Sequence, residues 1–150
     1  MPQSLVKNYI HLIYSTKNRE PFIQERFRNE LYNYIGGICN KLECYPVKIG
    51  GIADHMHILC LLSKKMTLIK LIEEIKSHSS KWFKTKDDSL QNFYGQLGYG
   101  AFSVNPSELD VVTKYIENQI EHHAKISFQD EYRLFLKKYN IEYDERYVWD

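Results

Sequence analysis

The chain has little that would staple or interrupt it: three cysteines, four prolines and seven glycines in 150 residues. Cys39, Cys44 and Cys60 are odd in number and contain no C-x-x-C pair, which excludes a disulfide framework and a cysteine-based zinc site. No apolar run approaches the roughly 18–20 residues that span a bilayer, and the amino terminus lacks the basic-then-apolar pattern of a secretory signal. Net charge is almost nil at +1, which argues against a protein that coats nucleic acid by bulk electrostatics. No repeat or linker divides the sequence. The expectation is a reduced, soluble, cytoplasmic protein with one domain over residues 1–150 and a polar, acidic tail from about residue 140.

What is present suffices for one core. Hydrophobic residues at 43% and charged residues at 26% are ordinary globular proportions, and a chain of this length can bury roughly 70% of its unfolded surface. Charge is unevenly spread: residues 64–86 hold seven lysines against two glutamates, so the remainder is net acidic.

Residues 8–15, with Tyr9, Ile10, Leu12, Ile13 and Tyr14, suit a strand. The period then changes to helical through Ile23, Phe27, Leu31, Tyr34, Ile35, Ile38 and Leu42. Residues 44–53 and 55–62 read as two antiparallel strands joined near Gly50, Gly51 and Asp54, and residues 67–85 as a second helix through Leu68, Leu71, Ile72, Ile75 and Trp82. A further strand is expected over residues 92–104, broken by Gly95, Gly98 and Gly100. Asn105 as cap and Pro106 at the first helical position open a helix running to about residue 124, and a shorter one follows over 129–138. The order β-α-β-β-α-β with C-terminal helices predicts an α+β, ferredoxin-like antiparallel sheet with helices on one face and the other face free for a site. That scaffold hosts many functions, so the residues on it must decide.

His55 and His57 flank Met56 on a predicted strand, where alternate side chains share a face, so both imidazoles project together as candidate metal ligands. Two histidines on a strand can equally well bond solvent or nearby carbonyls. A third donor must come from elsewhere. The helix after Pro106 has an apolar stripe of Leu109, Val112, Ile116 and Ile120, and beside it a stripe of Val111, Tyr115, Gln119 and His122. Tyr115 and Gln119 are one turn apart and able to face one pocket; the Gln119 carbonyl can ligate a cation. A phenol attacking phosphorus would yield a phosphodiester that conserves bond energy for rejoining, and a divalent cation would offset its high ordinary pKa of about 10. With twelve tyrosines, composition alone singles out none of them. His122 follows the Tyr115 stripe and could lie near the site, but a helix-surface histidine is more often neutral and solvated, and His78, His122 and His123 are left out of the candidate set.

At these residues the chain resembles the small single-tyrosine HUH transposases of the insertion-sequence two-hundred type. The matching stretches are Asp54-His55-Met56-His57-Ile58-Leu59, Gly98-Tyr99-Gly100-Ala101-Phe102-Ser103-Val104, and Tyr115-Ile116-Glu117-Asn118-Gln119 followed by His122-His123, with residues 11–21 similar to the family's first strand and turn. The resemblance implies an enzyme that cuts and rejoins single-stranded DNA at mobile-element ends through a 5′-phosphotyrosine, with Mg²⁺ or Mn²⁺ and no ATP, recognising end hairpins. By the same resemblance Tyr115 is the nucleophile, His55, His57 and Gln119 are the metal ligands, and the protein is a homodimer that exchanges the tyrosine helix between subunits.

The lysine-rich segment is the candidate for phosphate contact. Lys81 and Lys84, with Trp82 or Phe83 between them, give the basic-aromatic interleaving that suits a single strand, although lysines on an outer helix face are commonly only solvated. Two other readings remain open. A rolling-circle replication initiator shares the histidine pair and the order of the tyrosine, and a non-catalytic RNA- or single-strand-binding module shares the scaffold. Gly98-Tyr99-Gly100 echoes the aromatic signature of the latter, but Leu97 and Ala101 depart from it.

Overall fold

The computed structural model describes all 150 residues. Strands β1 (Tyr9–Ser15), β2 (Pro46–Ile52), β3 (His55–Leu61) and β4 (Gly100–Val104) form one antiparallel sheet in the order β2-β3-β1-β4. Helix α1 (Glu25–Lys41) links β1 to β2 and α2 (Leu68–Phe83) lies between β3 and β4, which completes the ferredoxin-like arrangement. Three helices follow: α3 (Leu109–Glu117), α4 (Gln119–His123) and α5 (Phe128–Lys138). No helix is long and apolar enough to cross a membrane.

The period-2 alternation of the central strands sorts the side chains. Ile10, Leu12 and Tyr14 of β1 and Met56, Ile58 and Cys60 of β3 meet Leu31, Ile35, Leu71, Ile75 and Phe83 from α1 and α2 in the main core. The intervening His11, Ile13, His55, His57 and Leu59 point to the opposite face. That face is not free, as the sequence pattern had suggested, because the C-terminal helices roof it. Ile13 and Phe102 pack against Phe128, Tyr132 and Leu136 of α5, and Leu59 and Val104 against Ile116 of α3. The polar residues on this face are therefore enclosed between sheet and helices.

The turn that delivers His55 is tight. Gly51 lies at φ +147°, and a Cβ there would sit 2.3 Å from the carbonyl oxygen of His55. At Gly50 a Cβ would approach Ile116 Cγ2 to 2.8 Å and its backbone oxygen to 3.0 Å, so α3 rests directly on the β2 backbone. Gly51→Ala is expected to cost about 1–3 kcal/mol, read as a lower urea midpoint with unchanged slope.

Two local expectations need correction. Residues 92–99 are not strand: they run past the end of β1, tied by a single bridge between Thr16 and Gly95 and by the Lys76 ammonium, which donates to the carbonyls of Gln96 and Gly98 at 2.7 Å each. The helix after Pro106 breaks at Asn118, which leaves Ile116 1% exposed but Ile120 63% exposed; the buried position beyond the break is Gln119. The acidic tail is tied to the rest of the chain. Trp149 packs on Phe128 and Tyr132, Arg19 Nη1 donates to its carbonyl at 2.6 Å, and the Gly98 amide donates to the Asp150 carbonyl at 2.9 Å.

Candidate metal and nucleophile centre

Five elements converge between the sheet and its C-terminal roof. β3 supplies His55 and His57, both fully buried; β1 supplies His11; the α3–α4 break supplies Tyr115 and Gln119, with His122 and His123 following; α5 supplies Glu131. The arrangement of α5 is dictated by its own pattern. Phe128, Tyr132 and Leu136 anchor its apolar stripe, and Glu131 occupies a position in that stripe, so packing the stripe drives a carboxylate into the interior, where it is 1% exposed.

Glu131 joins the parts. Its Oε1 lies 3.1 Å from His57 Nε2, 3.2 Å from His123 Nε2 and 3.4 Å from His55 Nε2. Its Oε2 accepts from the Tyr115 hydroxyl and from Gln119 Nε2 at 3.1 Å. The Gln119 carbonyl oxygen is 2.9 Å from His55 Nε2 and 3.0 Å from His123 Nε2. One carboxylate thus faces the imidazoles with one oxygen and the phenol with the other.

Each of the three imidazoles has its Nδ1 engaged elsewhere, which turns Nε2 towards the common point. His55 Nδ1 bonds Asp54 Oδ1 at 2.7 Å, His57 Nδ1 bonds His11 Nε2 at 2.8 Å, and His123 Nδ1 donates to the Ile126 carbonyl at 2.8 Å. The oxygens of Gln119 and Glu131 carry no proton to give. Acceptors crowded this closely require either protons on the imidazoles or a cation among them.

The donors fit a cation. His55, His57, His123 and Glu131 offer ligand atoms that all lie within 4.8 Å of one another. Glu131 Oε1 stands 3.1–3.4 Å from three imidazole Nε2 atoms, separations at which oxygen and nitrogen donors could share one cation. Imidazole, amide and carboxylate together suit a divalent ion of nitrogen-and-oxygen preference rather than a thiophilic one.

Without a cation, protons take its place. Burial alone would lower the pKa of His55, but its bonds to Asp54 and Glu131 outweigh that and raise it to about 9. Burial dominates at His57, which falls to about 4 despite Glu131. Burial would raise Glu131, yet hydrogen bonds from His123, His55 and His57 hold it well below the usual carboxylate range. Burial, and then the adjacent Glu131 charge, push the Tyr115 phenol above its ordinary value. The two strand histidines therefore act on stability in opposite directions. The His55 contribution is complete below about pH 6.5 and is lost as pH rises through about 9. His57 must be neutral when folded, so its penalty grows as pH falls from about 6.5 through about 4. The metal-free protein is expected to melt highest near pH 6.5 and lower on either side, a profile measurable by calorimetry in chelator.

The residues expected from the sequence are thus partly brought together. His55, His57, Tyr115 and Gln119 share one centre. Lys81 lies in the last turn of α2 and Lys84 at its C-cap, against the other face of the sheet, where Lys84 Nζ sits 3.6 Å above the Tyr94 ring. Their aromatic companion is Tyr94 rather than the two residues between them, since Phe83 is core and Trp82 stacks on Tyr34 at 4.4 Å. His78 is a surface residue paired with Glu74. His123 is not: its side chain is 3% exposed and it belongs to the centre, while His122 Nε2 stands 3.2 Å from the Tyr115 hydroxyl. Glu131 and His11 were missed altogether. The available signal for Glu131 was a charged residue inside an apolar helical stripe, and for His11 a polar residue at an inward strand position.

The IS200-like transposase family profile matches residues 4–119. A crystal structure of a candidate transposase from Deinococcus radiodurans R1 is similar at 19% identity and a TM-score of 0.62, covering 79% of this chain and 98% of that one. A REP-associated tyrosine transposase, solved bound to a REP hairpin, is similar at 16% identity and a TM-score of 0.60, covering 84% of this chain and 74% of that one. No curated protein sequence matches the chain.

Proposed function

The chain belongs to the IS200-like transposase family, and from that premise we propose that it cuts and rejoins single-stranded DNA at mobile-element ends through a 5′-phosphotyrosine on Tyr115. The observation that carries this reading is that the Tyr115 hydroxyl and the His57 imidazole bond the two oxygens of one buried carboxylate, so nucleophile and metal donors address the same point. His55, His57 and Gln119 would hold a divalent ion, Mg²⁺ or Mn²⁺, and His123 and Glu131 would complete the donor set. When bound, the ion neutralises charge developing on the scissile phosphate and its departing oxygen.

The protein's own groups supply the rest. A buried phenol needs a proton acceptor, and Glu131 Oε2 is already in place. As the bond from the phenol oxygen to phosphorus forms, the phenol proton passes to Glu131 and the bond from phosphorus to O3′ breaks; Glu131 gives that proton up through a water to the departing oxygen, which becomes a 3′-hydroxyl, and is itself a carboxylate again. Rejoining is the reverse, with an incoming 3′-hydroxyl attacking the phosphotyrosine and the proton returning to the phenol. No nucleotide cofactor is consumed because the phosphodiester count is conserved.

Recognition of an end hairpin rests on the basic surface of α2. Lys81, Lys84 and Tyr94 line one groove, which combines phosphate neutralisation with an exposed ring for stacking. The similar REP-associated transposase is bound to a hairpin, which supports that substrate class. Two element ends call for two chains, so the functional unit is a homodimer. Within one chain α3 and α4 carry Tyr115 and Gln119 beside that chain's own histidines, and in the homodimer exchange of the tyrosine helix would bring the same two groups to the partner's histidines.

Incubating the protein with Mn²⁺ and single-stranded oligonucleotides spanning the flanks of its own gene should give a protein–DNA band that survives detergent, and peptide mapping should find the nucleotide on Tyr115. Attachment at another residue, or cleavage without an adduct, would overturn the proposal.

A further inference from the structure

Tyr115 also lines a cavity of about 250 Å³ between α3 and α5, open to solvent and walled mainly by Val111, Leu134, Phe135 and Tyr139, with Lys138 among its lining residues. Val111 and Leu134 are apolar yet 62% and 60% exposed. Phe135 lies edge-on to Tyr115 at 5.7 Å between ring centroids and is stacked on Phe102 at 5.3 Å, so the inner wall is held in place from behind. The result is an apolar slot whose polar floor is the nucleophile and its carboxylate partner.

Resting on the transposase reading, we propose that this slot holds the base of the nucleotide immediately 3′ of the cut, the one that remains linked to Tyr115. In an in-line displacement the leaving O3′ stands opposite the phenol oxygen, so the nucleoside it carries points away from the tyrosine. The retained nucleoside leaves phosphorus sideways and can fold back beside the phenol, where the slot begins. Its walls are flat-ringed and aliphatic, which suits stacking of any base without reading its edge. Lys138 is placed to meet the next phosphate along the strand. A nucleotide held here stays beside the phosphotyrosine after the upstream strand has left, so the intermediate can wait for the new 3′-hydroxyl.

The test uses a cleaved oligonucleotide whose cut position has been mapped, with a single abasic site placed on either side of the cut. An abasic site 3′ of the cut should lower adduct formation at limiting DNA about 5- to 100-fold, whereas one on the 5′ side should change it less than twofold. Val111→Trp, which fills the slot from its exposed rim, should impose a similar loss on the intact strand and remove most of the further effect of the abasic site. Folding of that variant is not needed for a second readout: with Tyr115→Phe, 2-aminopurine at the 3′ position should be quenched on binding, and at the 5′ position much less.

Normal adduct formation with equal sensitivity on both sides of the cut, or no 3′-selective quenching, overturns the slot and leaves the transposase reading standing. If Val111→Trp instead turns a dimer into a monomer while the abasic site has no effect, the slot is a subunit contact and the proposal fails. No adduct with any strand overturns both.

Discussion

Tyr115→Phe should fold, melt and bind Mn²⁺ much as the parent chain does, yet form the covalent DNA adduct at least about 10⁴-fold more slowly. The substitution removes one oxygen. The ring keeps its edge-on contacts with His57 and Phe135, and the Glu131 oxygen it vacates still receives the Gln119 amide. His55 Nε2 remains with Gln119, and His57 Nε2 with Glu131 Oε1, so the donor set is not disturbed. What disappears is the atom that bonds phosphorus, and no neighbouring hydroxyl stands in for it: the other contact of the phenol is His122, whose product with phosphorus would be a phosphoramidate that acid hydrolyses. The measurements are a time course of detergent-resistant adduct and a parallel Mn²⁺ titration by thermal shift. Undiminished adduct in the variant would remove Tyr115 from the chemistry. An equal loss of Mn²⁺ binding would make it a structural residue instead.

How much of this centre the sequence disclosed follows from the range of the interactions involved. Strand alternation acts over two residues, so the shared face of His55 and His57 could be read directly, and their pairing opposite Ser15 and Ile13 follows from the same alternation in β1. The four-residue spacing of Tyr115 and Gln119 is equally local. The order of strands and helices carried the ferredoxin-like sheet for the same reason. Glu131 was hidden because nothing within one turn of it says what lies opposite; its partners stand 74 and 76 positions earlier in the chain on β3. Residues 92–99 failed as a strand because pairing needs a neighbour, and β1 has ended at Ser15. The break at Asn118 lay inside an unbroken apolar pattern, and only the packed helix reveals that Ile120, read as part of the buried stripe, is turned outward.

Glu131 should prove the residue on which both the fold of the roof and the binding of the metal depend. It is 1% exposed and anionic, and the groups against it are imidazoles, an amide and a phenol, with no lysine or arginine among the contacts. In the metal-free chain its charge is matched by the proton on His55, and removing either member of such a buried pair typically costs about 3–5 kcal/mol. Glu131→Ala should accordingly lower the melting temperature by roughly 10 °C in chelator. Glu131→Gln separates charge from shape. It preserves the packing of α5 on Ile13 and Phe102, and its amide can still bond Tyr115, but it cannot neutralise a divalent ion. At 100 times the dissociation constant, Mn²⁺ should stabilise the parent chain by about 2.7 kcal/mol. In Glu131→Gln the affinity should fall about 100-fold, so the same Mn²⁺ concentration should contribute only about 0.4 kcal/mol. Calorimetric melts with and without Mn²⁺ measure both effects. If Glu131→Gln gained as much from Mn²⁺ as the parent does, the carboxylate would be a latch for the phenol alone, and the ion would rest on the imidazoles and Gln119 without it.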